Sequence, residues 1–400
     1  MTTRNMPDLQ TLIADIAWPV TILLAWLTGE LVYQRLRLPR ISGYALVGFV
    51  LAPGQTGLLP AERSETMLLM ANLAFGLILF ECGYRINLRW LRNNPWIAVT
   101  SVAEASATFA AVAWLLQWLG QPQSTALLFA ALAMATSPAT VLRVVNDQHS
   151  SGQVTERIIH LSALNCVLAV LTFKMLIGIT VFETSGSHLG ALYSSVFVLA
   201  ATVAVALAFG TLIPRIVGLT ARSTHDTTLA FAIAVICVVA LTHGLKLSPI
   251  LGALTFGVAA RHHRVVSSTS QRGFGPLGDL LAVLLFVFIA STLHWRQLLA
   301  GAGIGLAIIA VRQLAKMAGI GVFARVSGIS ARKGILVGMA MAPMSAFVIL
   351  VMEQTRHIGI DLVDQLEPLA AAAFALEILG SIVVQRALIW AGESQREQGG

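Results

Sequence analysis

Long apolar runs separated by short polar segments fill almost the whole chain. A helix needs about 20 mostly apolar residues to cross the hydrocarbon core of a bilayer, and most of these runs approach or exceed that length. We therefore predict an all-α integral membrane protein with about thirteen transmembrane helices, at residues 16–33, 41–58, 66–82, 96–118, 123–146, 157–182, 189–211, 227–243, 248–261, 279–294, 299–324, 333–352 and 366–388.

The positions of lysine and arginine predict how these helices are oriented. With the N-terminus outside and the C-terminus cytoplasmic, the cytoplasmic segments carry eighteen of these residues and the outside segments five. Such a bias is typical of membrane proteins, and it supports this orientation for a multi-pass protein, which we expect in a bacterial inner membrane from the family resemblance described below. The net charge of +7 is then explained by cytoplasmic arginine, so a nucleic-acid partner is not expected.

The polar N-terminal segment and the cysteines exclude two further interpretations. Asp8 and Asp15 near the N-terminus argue against a cleavable signal peptide. Cys82, Cys166 and Cys237 all fall within predicted helices, which argues against a disulfide framework and a metal cluster. No cofactor is expected. The sequence contains no recognisable nucleophile–base pair, so an enzyme is not expected either.

Two predicted helices contain a proline near the middle, Pro138 after Thr136 and Ser137, and Pro343. Proline lacks a backbone donor and clashes with the preceding turn, so both helices are predicted to break within the bilayer. Paired broken helices in the two halves of a transporter mark its midplane binding site. Two kinked structural helices are the alternative, because proline is common in membrane spans.

Short matching segments predict that the chain contains an inverted repeat. Residues 41–48 and 250–257 both read Ile-x-Gly-x-x-x-x-Gly, 209 positions apart, and the two prolines are 205 apart. This offset covers seven helices, an odd number, so the halves would have opposite orientation. We predict one transporter domain with repeat one at 16–182, a linker helix at 189–211 and repeat two at 227–388, an architecture that supports alternating access.

Several ionisable side chains fall inside the predicted membrane core, where each charge costs at least about 2.5–3.5 kcal/mol. Arg312 and Lys316 share one helix face and either line the breaks or form a structural pair satisfied by Glu104 or by carbonyls. The state of Glu104 stays open. Glu377 is interpreted as a helix-packing carboxylate, and a structural role is also favoured for Lys174.

Residues 79–83, 247–253, 311–316, 338–343 and 377–380 together carry a family resemblance. In their order and spacing the chain resembles the monovalent cation:proton antiporter superfamily, especially bacterial sodium/proton antiporters and potassium-efflux systems. The resemblance covers nearly the whole chain. It implies thirteen helices, inverted repeats with crossed discontinuous helices, a homodimer, and exchange of Na⁺ or K⁺ for protons.

The resemblance fails at the position that matters most for ion binding. These antiporters usually carry Asp-Asp or Asn-Asp in helix six. Asn165 fits the first position, but Cys166 stands where the ion-binding, proton-carrying aspartate belongs. A thiol is a poor oxygen substitute for a hard cation, and Lys316 is then expected to lack a counter-ion. The acid of a Thr-Asp-Pro motif in some relatives is likewise replaced by Ser137.

Three hypotheses follow from this departure. In the first, the protein is a cation/proton antiporter in which Glu104 or Glu81 carries the proton and Thr136, Ser137 and Asn165 supply ligands. In the second, it carries an anion or a polar solute held by Lys316, Arg312 and the half-helix N-termini. In the third, it keeps the scaffold without transport, as a sensor or assembly subunit.

Overall fold

The computed structural model describes residues 9–60, 65–183, 188–220, 224–262, 274–345, 348 and 367–395. Within these ranges the chain is all-helical, as predicted. Its fifteen helices are α1 (Leu9–Arg35), α2 (Arg40–Val50), α3 (Glu65–Arg85), α4 (Leu88–Asn93), α5 (Trp96–Trp118), α6 (Gln123–Ala133), α7 (Pro138–Asp147), α8 (Gln153–Glu183), α9 (His188–Thr220), α10 (Thr224–Gly244), α11 (Pro249–His262), α12 (Gly275–Ser291), α13 (Trp295–Ala324), α14 (Ala331–Ala340) and α15 (Glu367–Trp390).

Twelve of the thirteen predicted segments overlap one helix each, the fifth contains both α6 and α7, and α4 is an additional short helix. Seven helices are long and apolar enough to span a membrane by length and composition: α1, α5, α8, α9, α10, α13 and α15. Shorter apolar helices are α2, α6 and α12. The helices of two predicted spans, the fifth and the twelfth, end close to Pro138 and Pro343.

The predicted second helix ends earlier than expected. We predicted it over 41–58, but α2 ends at Val50 and the chain then turns back, with the Leu59 amide donating to the Leu51 carbonyl at 3.1 Å. The reason is local, because Pro53 cannot continue the backbone hydrogen-bond ladder and Gly57 adopts a positive φ of 71°.

The break in the fifth predicted span is confirmed, and the twelfth span leaves its helix at the predicted place. Helix α6 ends at Ala133 and α7 begins at Pro138, while α14 ends at Ala340 and Met341–Ser345 is not helical. The predicted continuation to residue 352 lies, except for Val348, outside the described residues. The two non-helical segments meet in an antiparallel bridge between Thr136 and Met344.

Two close contacts between helix backbones are relevant to the predicted inverted repeat. The second glycine of each matching segment lies against the third helix of the other half. A Cβ at Gly48 would come within 2.5 Å of the Val287 carbonyl oxygen, and one at Gly257 within 2.2 Å of the Phe80 carbonyl oxygen. Thus α2 packs on α12 as α11 packs on α3. The repeat itself stays a prediction, which this reciprocal packing supports.

Candidate functional site

The two breaks release backbone carbonyls in the interior, and one arginine binds them. Arg312, on α13 and fully buried, donates to Ala133 at 2.8 Å, Ala135 at 2.8 Å, Ala342 at 2.7 Å and Pro343 at 3.2 Å. Two of the carbonyls lie at the C-terminal end of α6 and two lie in the non-helical segment that follows α14. The planar guanidinium thus joins the two breaks across the crossing.

One turn along α13, Lys316 forms an ion pair with Glu104 of α5. The ammonium also donates to the Met134 carbonyl at 2.9 Å, and both charged side chains are fully buried. The two helices approach closely at Gly319, which has no side chain. A Cβ there would lie 2.7 Å from the Glu104 Cα. The expectation that Lys316 lacks a counter-ion was therefore wrong, and the alternative of a pair satisfied by Glu104 and a carbonyl agrees with these contacts.

Polar neighbours occupy both oxygens of the Glu104 carboxylate. Asn165 of α8 donates its amide to one oxygen and accepts from the Ser101 hydroxyl at 2.8 Å. The other oxygen, already bound by Lys316, receives the Thr108 hydroxyl at 3.4 Å. Glu104 is thus the centre of a fully partnered cluster on α5, α8 and α13.

Cys166, next to Asn165, lies against the second break. Its thiol is fully buried and hydrogen-bonds with the Ser345 hydroxyl. The position that holds an acid in the resembling family is therefore inside the crossing, occupied by a soft sulfur atom rather than an oxygen.

The first break ends in a capped helix start. Pro138 occupies the first turn of α7, where its missing donor is no loss, and the Ser137 hydroxyl accepts from the Thr140 amide at 3.2 Å. The Ser137 amide donates to the Pro343 carbonyl at 3.1 Å, and the Thr136 hydroxyl donates to Met341 at 3.3 Å.

A second buried carboxylate lies at this cap, a contact that sequence reasoning missed. Glu377 of α15, 3% exposed, accepts from the Thr140 hydroxyl, which lies 2.9 Å from the Ser137 hydroxyl. Nearby on α15, Gly380 packs directly on Pro343. The interpretation of Glu377 as a helix-packing group overlooked this contact. The signal available in the sequence was the Ser-Pro-x-Thr start of α7.

Glu81, the other acid considered as a proton carrier, is not brought to the crossing. It accepts from Arg85 at 3.4 Å and from Asn146 at 3.3 Å. Asn146 lies eight residues beyond Pro138, about 12 Å along the helix. At the same end of α7, Arg40 donates to Asp147 at 2.7 Å, so an ion pair holds this end against α2 and the Asn146 hydrogen bonds hold it against α3.

A further ion pair closes this end of α7. Arg143 pairs with Asp279 on α12 and donates to the Gly278 carbonyl. The C-terminal end of α7 is therefore clamped to three helices, α2, α3 and α12, whereas its N-terminal end lies at the crossing.

Comparison with known proteins shows that the chain is similar to membrane transporters. The family model described as sodium/hydrogen exchanger, transmembrane, matches residues 20–388. An iron transporter, MagA of Paramagnetospirillum magneticum, is 24% identical over 355 residues, which are 85% of this chain and 77% of that protein.

Two structures of the sodium proton antiporter MjNhaP1 from Methanocaldococcus jannaschii are similar to this fold. One, determined at pH 8, has a TM-score of 0.67 and covers 96% of this chain and 98% of that one. The other, an electron-microscopy map, has a TM-score of 0.71 and covers 96% and 97%. Sequence identity is 16% in both cases, so this likeness speaks for the fold.

Proposed function

Because the chain belongs to the sodium/hydrogen exchanger family, we propose that it exchanges a monovalent cation, Na⁺ or K⁺, for protons by alternating access. It is a multi-pass membrane transporter and not an enzyme. The observation that carries the proposal is the crossing itself. There, two antiparallel helix breaks bring buried carboxylate, hydroxyl and carbonyl oxygens together, which are the ligand types that hard cations prefer.

The electrostatics of the crossing favour a cation over an anion. Arg312 is occupied by four carbonyls and Lys316 by Glu104, so neither charge is left to hold an anionic solute. The N-terminus of α7 is capped by Ser137 and faces the carboxylate of Glu377. An anion here would meet a carboxylate, whereas a cation would be attracted to it.

Iron is a second candidate substrate, favoured by two observations. MagA is called an iron transporter, and Cys166 puts a thiol, a ligand suited to transition metals, beside the second break. Against it, no cluster of three or more His, Cys, Asp or Glu side chains is found among the described residues. We therefore rank a monovalent cation first and ferrous iron second.

Alternating access requires the clamp at the end of α7 to open and close. The pairs Arg40–Asp147 and Arg143–Asp279 link α7 to α2 and α12. In the proposed cycle these contacts break when that end admits solvent. By the arginine bias this end is cytoplasmic in a bacterial inner membrane, and we propose a homodimer joined by helices outside the crossing.

Flux in proteoliposomes tests the proposed function. Purified protein is reconstituted around a pH dye, and gradients of Na⁺, K⁺ and Li⁺ are applied across a range of pH. Cation-driven proton flux is expected in the wild type and is expected to be lost in Lys316→Ala and Glu104→Gln, which disrupt the charged centre. Wild-type protein that leaves the dye unchanged with every monovalent cation would refute this function, and flux with Fe²⁺ alone would favour the second candidate.

A second experiment restores the carboxylate that is absent at Cys166 and measures whether transport increases. Cys166→Asp restores the carboxylate that resembling antiporters carry, next to Asn165 and Ser345. We expect higher cation-driven proton flux than in the wild type, and Cys166→Asn, similar in size but uncharged, serves as the control. Equal flux in both variants would indicate that the carboxylate function has moved elsewhere in the crossing.

A further inference from the structure

Helix α15 carries a line of buried polar side chains at helical spacing. Glu377, Ser381 and Gln385 are four residues apart, so they lie above one another on a single face of the helix. Their exposed fractions are 3%, 0% and 4%. The line runs about 12 Å along the helix, more than a third of the hydrocarbon thickness of a bilayer.

Polar groups from other helices meet this line at each step. Glu377 accepts from Thr140 at the crossing, and the Ser381 hydroxyl lies 3.1 Å from the Ser42 hydroxyl on α2. Gln385 donates to the Arg37 carbonyl at 2.8 Å, in the connection between α1 and α2. Arg37 is exposed, so the line begins at the crossing and ends at the surface of the bundle.

One atom of the line is buried without a partner. The side-chain oxygen Oε1 of Gln385 has no hydrogen-bond partner within the described structure. A buried polar atom left unpaired costs about 1–3 kcal/mol, which a water or a passing proton carrier such as hydronium could offset. The unpaired oxygen can therefore accept a hydrogen bond from a water molecule or a hydronium ion between Ser381 and the surface.

Glu377 also differs from Glu104 in how it is held. Glu104 accepts from a cation, an amide and a hydroxyl, whereas Glu377 has a neutral hydroxyl partner. The charged side chains on the helices that pack against α15 have other partners. They are Arg40 on α2, Arg143 and Asp147 on α7, Arg312 and Lys316 on α13, and Arg332 and Lys333 on α14. The remaining charged residue of α13, Arg296, is exposed at the N-terminal end of that helix.

We propose that Glu377 holds the exchanged proton, and that Ser381 and Gln385 line its route to the end of the bundle at Arg37. The inference rests on the proposed cation/proton exchange and names the residues that replace the aspartate missing at Cys166. The Glu377 carboxylate takes up one proton delivered along α15. When a cation binds at the crossing, the acid gives the proton up and the carboxylate faces the cation instead.

The Ser137 and Thr140 hydroxyls connect this acid to the first break. The Thr140 hydroxyl has one proton and two acceptors within reach, the Glu377 carboxylate and the Ser137 hydroxyl oxygen 2.9 Å away, so it donates to one of them at a time. A change in the protonation of Glu377 therefore reverses or releases these hydroxyl bonds at the start of α7. The proton and the cation thus compete for groups that share one hydrogen-bonded chain.

Proteoliposome flux with four variants tests the route. We expect Glu377→Gln to lose cation-driven proton flux, and Ser381→Ala and Gln385→Met to slow it several-fold. The matched control is Ser291→Ala, which removes a buried serine that also donates to a carbonyl of its own helix, Phe288 at 2.8 Å, but lies on α12. Thermal unfolding of each variant in detergent corrects the flux for the folded fraction.

The outcomes separate this inference from the proposed function. Wild-type protein without flux would refute the exchange. Wild-type flux that Glu377→Gln leaves unchanged, at the same pH dependence, would refute the role of Glu377. Ser381→Ala and Gln385→Met that lower the unfolding temperature without slowing flux would reduce the line to a structural contact. If flux is absent, a proton titration of wild type and Glu377→Gln in detergent still decides whether Glu377 binds a proton.

Discussion

Two buried glutamates lie at the same helix crossing and are held in opposite ways. Glu104 has ionic and polar partners on three helices, and both of its oxygens are engaged. Glu377 has the Thr140 hydroxyl as its partner and lies at one end of a polar line that leads to the surface. Burial is nearly equal, at 0% and 3% exposure, so partners and access distinguish the two.

The contrast indicates that Glu104 and Glu377 have different roles within one site. A carboxylate in a buried ion pair is kept ionised by the neighbouring cation, and removing either partner is costly. A carboxylate with a neutral hydroxyl partner can change its protonation without leaving an opposite charge unpaired. The first kind of group holds the crossing together, and the second suits an exchange that needs a proton to come and go.

The largest expected effect concerns the scaffold that supports both glutamates. Arg312→Met keeps the volume but removes the guanidinium donor from the Ala133, Ala135 and Ala342 carbonyls, while Pro343 keeps the Ser137 amide; each buried carbonyl left unpaired costs about 1–3 kcal/mol. We expect a strong fall in unfolding temperature in detergent. Arg325→Met, on an exposed arginine just after the same helix, is the control and should melt like the wild type. Equal melting of both variants would contradict the account of the breaks.

A smaller effect is expected when the ion pair loses its acid. Glu104→Gln leaves Lys316 buried and unpaired, which should lower the free energy of unfolding by about 3–5 kcal/mol. The double variant Glu104→Gln/Lys316→Gln should recover part of this loss, because no charge is left uncompensated. A double-mutant cycle of thermal stability checks the coupling, and purely additive losses would mean that the pair does not hold the crossing.

The smallest effect on stability is expected at the second glutamate. Glu377→Gln keeps an oxygen for the Thr140 hydroxyl, so the free energy of unfolding should change by about 1 kcal/mol or less. The same thermal measurement checks it. A loss as large as that of Glu104→Gln would place Glu377 among the structural groups and remove the contrast.

Features set by neighbouring residues were predictable from the sequence. The helices follow from hydropathy, and the break at Pro138 follows from the chemistry of proline. The end of α2 at Val50 was missed because apolar composition continues through Pro53 and Gly57, where the backbone turns. These errors are local and concern boundaries.

Contacts between distant residues were predicted only in part. The pairing of Lys316 with Glu104, 212 positions away, was one of the alternatives that the sequence left open, whereas the contact of Thr140 with Glu377, 237 positions away, was not predicted. The partner of a buried acid depends on which helices cross. The motif of the resembling family places its acid at the position of Cys166. The carboxylates that reach the crossing come instead from α5 and α15.

Infrared difference spectroscopy of the two glutamates tests the central contrast most directly. Wild type, Glu377→Gln and the double variant Glu104→Gln/Lys316→Gln are titrated in lipid while the carbonyl stretch of protonated carboxylic acid is recorded. We predict a titrating band, sensitive to added Na⁺ or K⁺, that disappears in Glu377→Gln and persists in the double variant. A band that persists in Glu377→Gln and vanishes in the double variant would contradict the account.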